Sequence, residues 1–137
     1  MYFKNIPGHA KIKKRLIGTV EEGRVSHAQL FLGPEGNAKF ALALAYARYI
    51  NCRDRNAEDA CGKCSSCVKF DKLAHPDLHF IYPVAANKEH KNPISVNFVS
   101  DWRQYILETN YFPVLNQWYA KIDIEKKQGT INTKDCS

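Results

Sequence analysis

The sequence has 137 residues, of which 45% are hydrophobic and 25% are charged, and its net charge is +6. This composition is typical of a globular domain with a hydrophobic core, and it excludes an intrinsically disordered chain. No apolar run approaches the ~20 residues of a membrane span, and the first residues lack the basic-then-apolar order of a signal peptide, so we expect a cytoplasmic protein without membrane contacts.

The first 24 residues hold six lysines and arginines against two glutamates. Such a segment either faces phosphate groups or forms the solvated face of a helix. The stretch from Ala10 to Glu22 has apolar residues at helical spacing and is followed by Gly23, which predicts an amphipathic helix.

The next elements along the chain are a predicted strand and a second predicted helix. The short apolar run Ala28–Leu32, ended by Gly33-Pro34, is typical of a buried strand. The stretch Ala38–Ile50 is apolar almost throughout, which predicts a helix buried around most of its circumference.

After a cysteine-rich segment at 52–70, the run Leu78–Tyr82 predicts a second strand. Helices are predicted from Val96 to Glu108, on the spacing of the apolar residues, and from Pro113 to Ile122, since proline suits a first helical turn. Thr133 is a candidate cap for a further helix.

Strands that alternate with helices are typical of a parallel sheet flanked by helices, so the predicted fold class is α/β. Two strands make a poor sheet, and we therefore expect this chain to be an incomplete part of a larger domain.

Four of the five cysteines lie within sixteen residues, and Cys136 stands alone near the C-terminus. Two overlapping Cys-x-x-Cys steps place three thiols around one centre, and a loop of eight residues returns the fourth. A site closed by four cysteines is the kind that holds structural rather than catalytic zinc. The spacing therefore predicts one structural Zn²⁺ ion, and its candidate ligands are Cys52, Cys61, Cys64 and Cys67.

The same residues permit other interpretations. The four thiols can form two buried disulfides or remain unpaired. A rival ligand set combines His75 and His79 with Cys64 and Cys67, but its spacing is too short for a zinc finger and Pro76 breaks the helix that such histidines need.

A glycine-containing turn connects the first predicted strand to the second predicted helix. Phosphate-binding loops follow the pattern G-x-x-x-x-G-K-[ST]. Gly33, Gly36 and Lys39 fall in register with it and are the candidate nucleotide-binding residues. Ala38 replaces the second glycine, and Phe40 replaces the hydroxyl that ligates Mg²⁺.

Without that hydroxyl the metal cannot bridge the β- and γ-phosphates, so we expect no hydrolysis and no catalytic residue in this chain. ATP binding stays open, because Lys39 and the amides of a helix N-terminus are also suited to hold an anion. The alternative is that the turn is only a strand-to-helix connection and Lys39 is a surface lysine.

Taken together, these segments resemble one known family, the bacterial clamp-loader subunits of DNA polymerase III. The resemblance rests on Gly8, the segment Gly23–Gly36, the pair Asn51-Cys52, the motif Cys61–Cys67 and the segment His75–Leu78. It covers roughly residues 5–83. It implies an AAA+ ATPase-like fold, with the zinc module inserted at 52–70, and a role in loading the sliding clamp onto primed DNA during replication.

Within that family the altered positions Ala38 and Phe40 indicate the delta-prime kind of subunit rather than gamma/tau. The resemblance then implies gamma/tau and delta subunits as partners, with the sliding clamp and primed DNA reached through the complex. The chain would be a component of a DNA polymerase holoenzyme with no catalysis of its own.

The family's acidic Walker B strand, Ser-Arg-Cys motif, lid domain and collar domain are absent, so residues 1–137 are expected to be the N-terminal part of such a subunit. Residues 84–129 match no shared motif and are expected to be a lineage-specific extension. Its aromatic residues form either a partner surface or, more commonly, a core.

The functional hypotheses are thus a delta-prime-type subunit that does not hydrolyse ATP, an active gamma/tau-type ATPase, and a zinc-dependent nucleic-acid-binding module.

Overall fold

The computed structural model describes residues 1–136, and their regular structure is helical. The α-helices are α1 (Ala10–Glu21), α2 (Lys39–Asn51), α3 (Ser65–Asp71), α4 (Val99–Glu108) and α5 (Leu115–Lys121). Short 3-10 helices lie at Phe3–Asn5, Ser95–Phe98 and Thr133–Asp135. The chain divides into two compact units, the first from Met1 to Leu78 and the second from His79 onward. None of the helices within residues 1–136 is both long and apolar enough to cross a bilayer.

The predicted parallel sheet, and with it the α/β class, is wrong. Residues 1–136 contain no strand, and the one bridge of strand type among them joins Val84 to Thr130. These two residues exchange two backbone hydrogen bonds of 3.0 Å. A strand needs a neighbour that satisfies its N–H and C=O groups along several residues, and an isolated bridge does not supply one.

The two runs that were expected to be strands are irregular. In Ala28–Leu32 no backbone group pairs with another backbone group of residues 1–136. Leu30 and Leu32 are 84% and 85% exposed rather than buried. The run Leu78–Tyr82 also forms no ladder. A short apolar run between turn signals is compatible with a strand, but whether it pairs with another strand depends on residues elsewhere in the chain.

The helix predictions are confirmed at four places, because periodicity and caps are local signals. Helices α1 and α2 begin and end within one residue of their expected bounds. The third predicted helix is divided into a 3-10 turn and α4, and the fourth is shortened to α5. The last 3-10 turn is capped by Asn132 rather than by Thr133, since the Asn132 side chain accepts a hydrogen bond from the backbone N–H of Lys134 at 3.0 Å. Helix α3 was not predicted.

The first unit is built around α2. Ala41, Ala45 and Tyr49 of this helix are completely buried, in agreement with the prediction of a helix covered on most sides. Helices α1 and α3 and the first 3-10 helix all pack against α2. The N-terminal segment contributes Phe3 and Ile6, which are each 2% exposed, so it belongs to this core.

The second unit has an aromatic core. The Tyr82 and Trp102 rings stack with centroids 4.3 Å apart, and Trp102 meets Trp118 edge-on at 4.9 Å. The indole N–H of Trp118 donates to the carbonyl of Pro83 at 2.8 Å. Tyr105 uses its hydroxyl to bond both backbone groups of Val114, at 2.8 Å each. The core interpretation is therefore confirmed for Trp102, Tyr105 and Trp118, which are 7%, 4% and 1% exposed. The polar atoms of Tyr105 and Trp118 have hydrogen-bond partners, as is usual for buried Tyr and Trp.

Both tryptophans of the sequence lie in the second unit, so tryptophan fluorescence reports the unfolding of that unit. We expect Trp118→Ala to lower its free energy of unfolding by ~3–5 kcal/mol, because the substitution opens a cavity around a side chain that is 1% exposed. Leu115→Ala is the control, since Leu115 lies on the same helix and is 52% exposed, and its effect should stay within ~0.5 kcal/mol. Urea unfolding followed by Trp102 fluorescence measures both. Equal effects of the two substitutions would contradict this description of the core.

Candidate metal centre and phosphate loop

The predicted ligands Cys52, Cys61, Cys64 and Cys67 converge on one point. Their sulfur atoms all lie within 4.8 Å of one another, and the sulfurs of Cys61 and Cys67 are 4.0 Å apart. Four sulfur ligands ~2.3 Å from a tetrahedral ion are separated by ~3.8 Å, so the cluster fits such an ion with a small contraction. All four thiols are free, which removes the interpretation as two disulfides.

Local backbone geometry brings three of these thiols together. Gly62 has a φ of +75°, a left-handed conformation that L side chains rarely adopt, and this allows the chain to turn sharply after Cys61. Cys64 is the N-terminal cap of α3, and its sulfur accepts from the N–H of Cys67 at 3.5 Å. The N–H of Cys64 likewise donates to the sulfur of Cys61 at 3.3 Å. Each Cys-x-x-Cys step is thus a turn closed by an N–H···S bond.

The loop before Cys61 returns the fourth ligand. The N–H of Cys61 donates to the sulfur of Cys52 at 3.3 Å. Inside this loop the Asn56 side chain accepts from the N–H groups of Glu58 and Asp59, at 2.8 and 2.9 Å. The Tyr49 hydroxyl of α2 donates to the carbonyl of Asn56 at 2.8 Å. Helix α2 therefore holds the loop at its middle as well as at its start.

The surroundings divide the four thiols into two classes. The pKa of Cys64 is lowered to about 6, chiefly by the backbone N–H of Arg53 and then by that of Cys67. The pKa of Cys61 is also lowered, by the N–H groups of Lys63 and Cys64. Burial raises the pKa of Cys67 to about 12 and raises that of Cys52. Because metal ligation requires thiolates, binding of an ion must release the protons that the two buried thiols carry at neutral pH.

The rival set of histidine and cysteine ligands is not assembled. The one group of three or more potential ligands within residues 1–136 consists of the four cysteines, and it includes neither His75 nor His79. The His75 ring packs against Phe70 with centroids 4.8 Å apart, and its Nδ1 accepts from the N–H of Asp77 at 3.2 Å. His75 thus caps a turn instead of facing the thiols.

Asp59 is a residue of this site that the sequence did not indicate. It is 8% exposed, and its carboxylate accepts from the backbone N–H groups of Phe3, Lys4 and Ala60, at 3.3, 2.9 and 2.8 Å. An acidic residue two positions before a ligand is a weak signal, because most such residues are solvated.

The predicted phosphate loop uses its own polar groups internally. The Lys39 ammonium donates to the carbonyls of Gly33 and Pro34, at 2.8 Å each. The Asn37 side chain accepts from the N–H of Lys39 at 2.9 Å, so the first turn of α2 is capped by the chain itself. A Cβ on Gly33 would lie 1.9 Å from the Asn37 amide nitrogen, so a larger residue there would require the Asn37 side chain to move. Gly36 takes the left-handed conformation with a φ of +80°.

A second feature of the first unit is a basic groove along α1. It is lined by Lys11, Lys14, Arg15 and Arg24, together with Glu22. Glu22 and Arg24 form an exposed ion pair at 3.6 Å. The other three basic residues, Lys11, Lys14 and Arg15, have no further acidic residue beside them in the groove lining. The basic residues of the N-terminal sequence are thus gathered in a groove where positive charges outnumber negative ones.

The family described as "DNA polymerase III, delta subunit" matches residues 8–122 of the chain. The DNA polymerase III subunit delta' of Bacillus subtilis is 37% identical over 73 residues, which are 53% of this chain and 22% of that protein. The same subunit of Yersinia pestis is 34% identical over 86 residues, 63% of this chain and 24% of the relative. The DNA polymerase III subunit tau of Bacillus subtilis is 32% identical over 65 residues, 47% of this chain and 12% of the relative.

The chain thus spans about a quarter or less of the length of these relatives. No solved structure matches it.

Elemental analysis of the purified chain is expected to find about one zinc ion per molecule, as for other four-cysteine sites. We expect Cys67→Ser to abolish metal retention, because it removes one of the four converging thiols and Cys67 is completely buried. Cys136→Ser is the matched control, since Cys136 is exposed and lies outside the cluster, and it should retain the ion. A wild-type chain without metal, or equal loss in both variants, would refute the site.

Proposed function

The chain belongs to the family described as DNA polymerase III, delta subunit, and from this premise we propose that it is part of a delta-prime-type clamp-loader subunit. In this proposal it assists the loading of the sliding clamp on primed DNA and hydrolyses no ATP itself. The gamma/tau and delta subunits are its partners, and the clamp and DNA are reached through the complex.

The proposal rests chiefly on the hydrogen bonds within the predicted phosphate loop. A working loop turns its N–H groups and its lysine towards the phosphates. Here the Lys39 ammonium donates to two loop carbonyls, and the backbone N–H of Lys39 donates to the Asn37 side chain. A nucleotide would have to break these contacts before its phosphates could bind.

The loop also lacks a residue type that ATP hydrolysis requires. Phe40 stands where the pattern requires a hydroxyl for Mg²⁺. Ala38 is 6% exposed, so its methyl group is packed into the fold at the position of the second glycine. A site that lacks the metal ligand cannot neutralise the charge that develops on the transferred phosphoryl group.

We further propose that the metal is Zn²⁺ and that its role is structural. Thiolates favour zinc, copper(I) and iron–sulfur clusters over hard ions such as Mg²⁺. Four cysteines complete the tetrahedron, so no position is left for water or substrate. The ion would hold the loop after α2 against the start of α3 and would take no part in chemistry.

A gamma/tau-type ATPase is the second candidate, and the match to the tau subunit of Bacillus subtilis favours it. The third candidate is a nucleic-acid-binding module, which the basic groove on α1 favours. Two measurements separate these from the leading proposal.

Isothermal titration with Mg²⁺ and ATP is expected to show no saturable binding, with any dissociation constant above ~1 mM. The companion variant combines Ala38→Gly with Phe40→Thr and restores the pattern of a working loop. Because Lys39 stays bonded to the loop carbonyls, we expect little gain from it. Tight Mg²⁺-dependent binding with turnover by the wild-type chain would overturn the delta-prime assignment and support the ATPase.

Fluorescence anisotropy with a labelled primed DNA is expected to show no binding by the isolated chain at low salt. A nucleic-acid-binding module would instead bind with an affinity that falls steeply with salt, with a logarithmic slope of ~0.9 per phosphate contact. In that case the double variant Lys11→Ala, Lys14→Ala should reduce the slope, whereas Lys72→Ala, an exposed change outside the groove, should not.

A further inference from the structure

We propose that Asp59 is a positioning residue that couples metal occupancy of the four-cysteine site to the docking of the N-terminal segment, residues 2–6, on α2. The inference rests on the metal site of the proposed function, but it does not depend on a role in DNA replication.

The Asp59 carboxylate accepts hydrogen bonds from backbone N–H groups of two segments of the chain. One oxygen accepts from the N–H groups of Phe3 and Ala60, and the other accepts from the N–H of Lys4 at 2.9 Å. Phe3 and Lys4 begin a 3-10 helix whose own N-terminal cap, Tyr2, supplies no side-chain hydrogen bond. The first N–H groups of a helix have no partner within the helix. Asp59 therefore caps this helix from a loop more than fifty residues away in the sequence.

Asp59 is close in the sequence to the candidate ligand Cys61. It lies in the loop that joins Cys52 to Cys61, two residues before Cys61. On the other side of Cys61, the Tyr2 hydroxyl lies 3.0 Å from the position of a Cβ on Gly62, and the Tyr2 side chain packs against the cysteine cluster. The N-terminal segment thus contacts the metal loop on both sides of one ligand.

Two hydrogen bonds with Asn56 hold Asp59 in a local turn. Its N–H donates to the Asn56 side chain, and its carbonyl accepts from the Asn56 N–H at 3.1 Å. This turn is local, and its position depends on the two ends of the loop. A metal ion bound by Cys52 and Cys61 closes the loop, whereas without metal one N–H···S bond of 3.3 Å joins these residues directly. Occupancy of the site therefore fixes the carboxylate where the N-terminal amides meet it.

Thermodynamic linkage makes this coupling reciprocal. If metal binding stabilises the contacts of Asp59 with the N-terminal segment, loss of those contacts must weaken metal binding by the same factor. A coupling between two sites typically changes the affinity of one of them by ~5–150-fold. Asp59 touches no thiol in any of its hydrogen bonds, so its effect would be on position and not on ligation.

The test measures Zn²⁺ affinity by competition with a chelator for the wild-type chain, Asp59→Asn and Glu58→Gln. We expect a loss of ~5–150-fold for Asp59→Asn, because the substitution replaces one accepting carboxylate oxygen with an NH2 group, which cannot accept from a backbone N–H. Glu58→Gln removes the same charge from the neighbouring exposed residue and should leave the affinity unchanged. Bound Co²⁺ should give the same four-thiolate spectrum in all three, which separates repositioning from loss of a ligand.

Hydrogen exchange on the wild-type chain tests the coupling without any substitution. Removal of the metal should cost the amides of Phe3 and Lys4 their protection, while amides of α4 in the second unit keep theirs. Equal Zn²⁺ affinity in Asp59→Asn and wild type, or unchanged protection of Phe3 and Lys4 in the metal-free chain, would overturn the inference and leave the metal site standing. A wild-type chain that binds no Zn²⁺ would refute the site and the inference together, and the replication role would stand or fall separately.

Discussion

The convergence of four thiols on one point is the constraint on which the first unit depends. Cys52 directly follows α2, and Cys64 and Cys67 begin α3, so a single ion would tie the end of one helix to the start of the next. The loop between Cys52 and Cys61 is anchored to α2 through Asn56 and to the N-terminal segment through Asp59. Metal binding by these thiols would therefore be coupled to folding, as in other small sites whose ligands are separated in the unfolded chain. The cysteine segment thus joins α2 to α3 and contacts the N-terminal segment.

The polar groups of the predicted phosphate loop can be satisfied either by an anion or by the protein itself. A glycine-containing turn before a helix leaves N–H groups that need partners, and an anion is one way to satisfy them. In this chain the Asn37 side chain and the carbonyls of Gly33 and Pro34 take the partners that a phosphate would otherwise meet. The Lys39 ammonium is therefore bound to oxygen atoms of the protein itself. This arrangement supports the proposal that the chain hydrolyses no ATP.

The helices, which depend on local signals, were predicted correctly from the sequence, whereas the pairing of strands was not. The helical spacing of Leu16 and Val20 identified the buried face of α1, and the unbroken apolar run of α2 identified a central helix. The apolar run Ala28–Leu32 has the composition of a strand, yet its leucines point to solvent and its backbone pairs with nothing in residues 1–136. Strand formation requires a distant neighbour, and no feature of a five-residue segment reports one. The aromatic residues of the second unit were ambiguous for the same reason, since spacing on a helix does not say what lies opposite.

The convergence of the four cysteines could be predicted from the sequence alone, because two Cys-x-x-Cys steps bring three thiols together by local turns and leave few places for the fourth. The tertiary structure decided everything that depends on a second segment. It made Asp59 a buried acceptor for Phe3 and Lys4, and it turned Lys39 back onto its own loop. Hydrogen bonds between residues far apart in the chain require a folded geometry that spacing does not encode. The cysteines could therefore be recognised before the fold was known, whereas the residue that connects them to the rest of the unit could not.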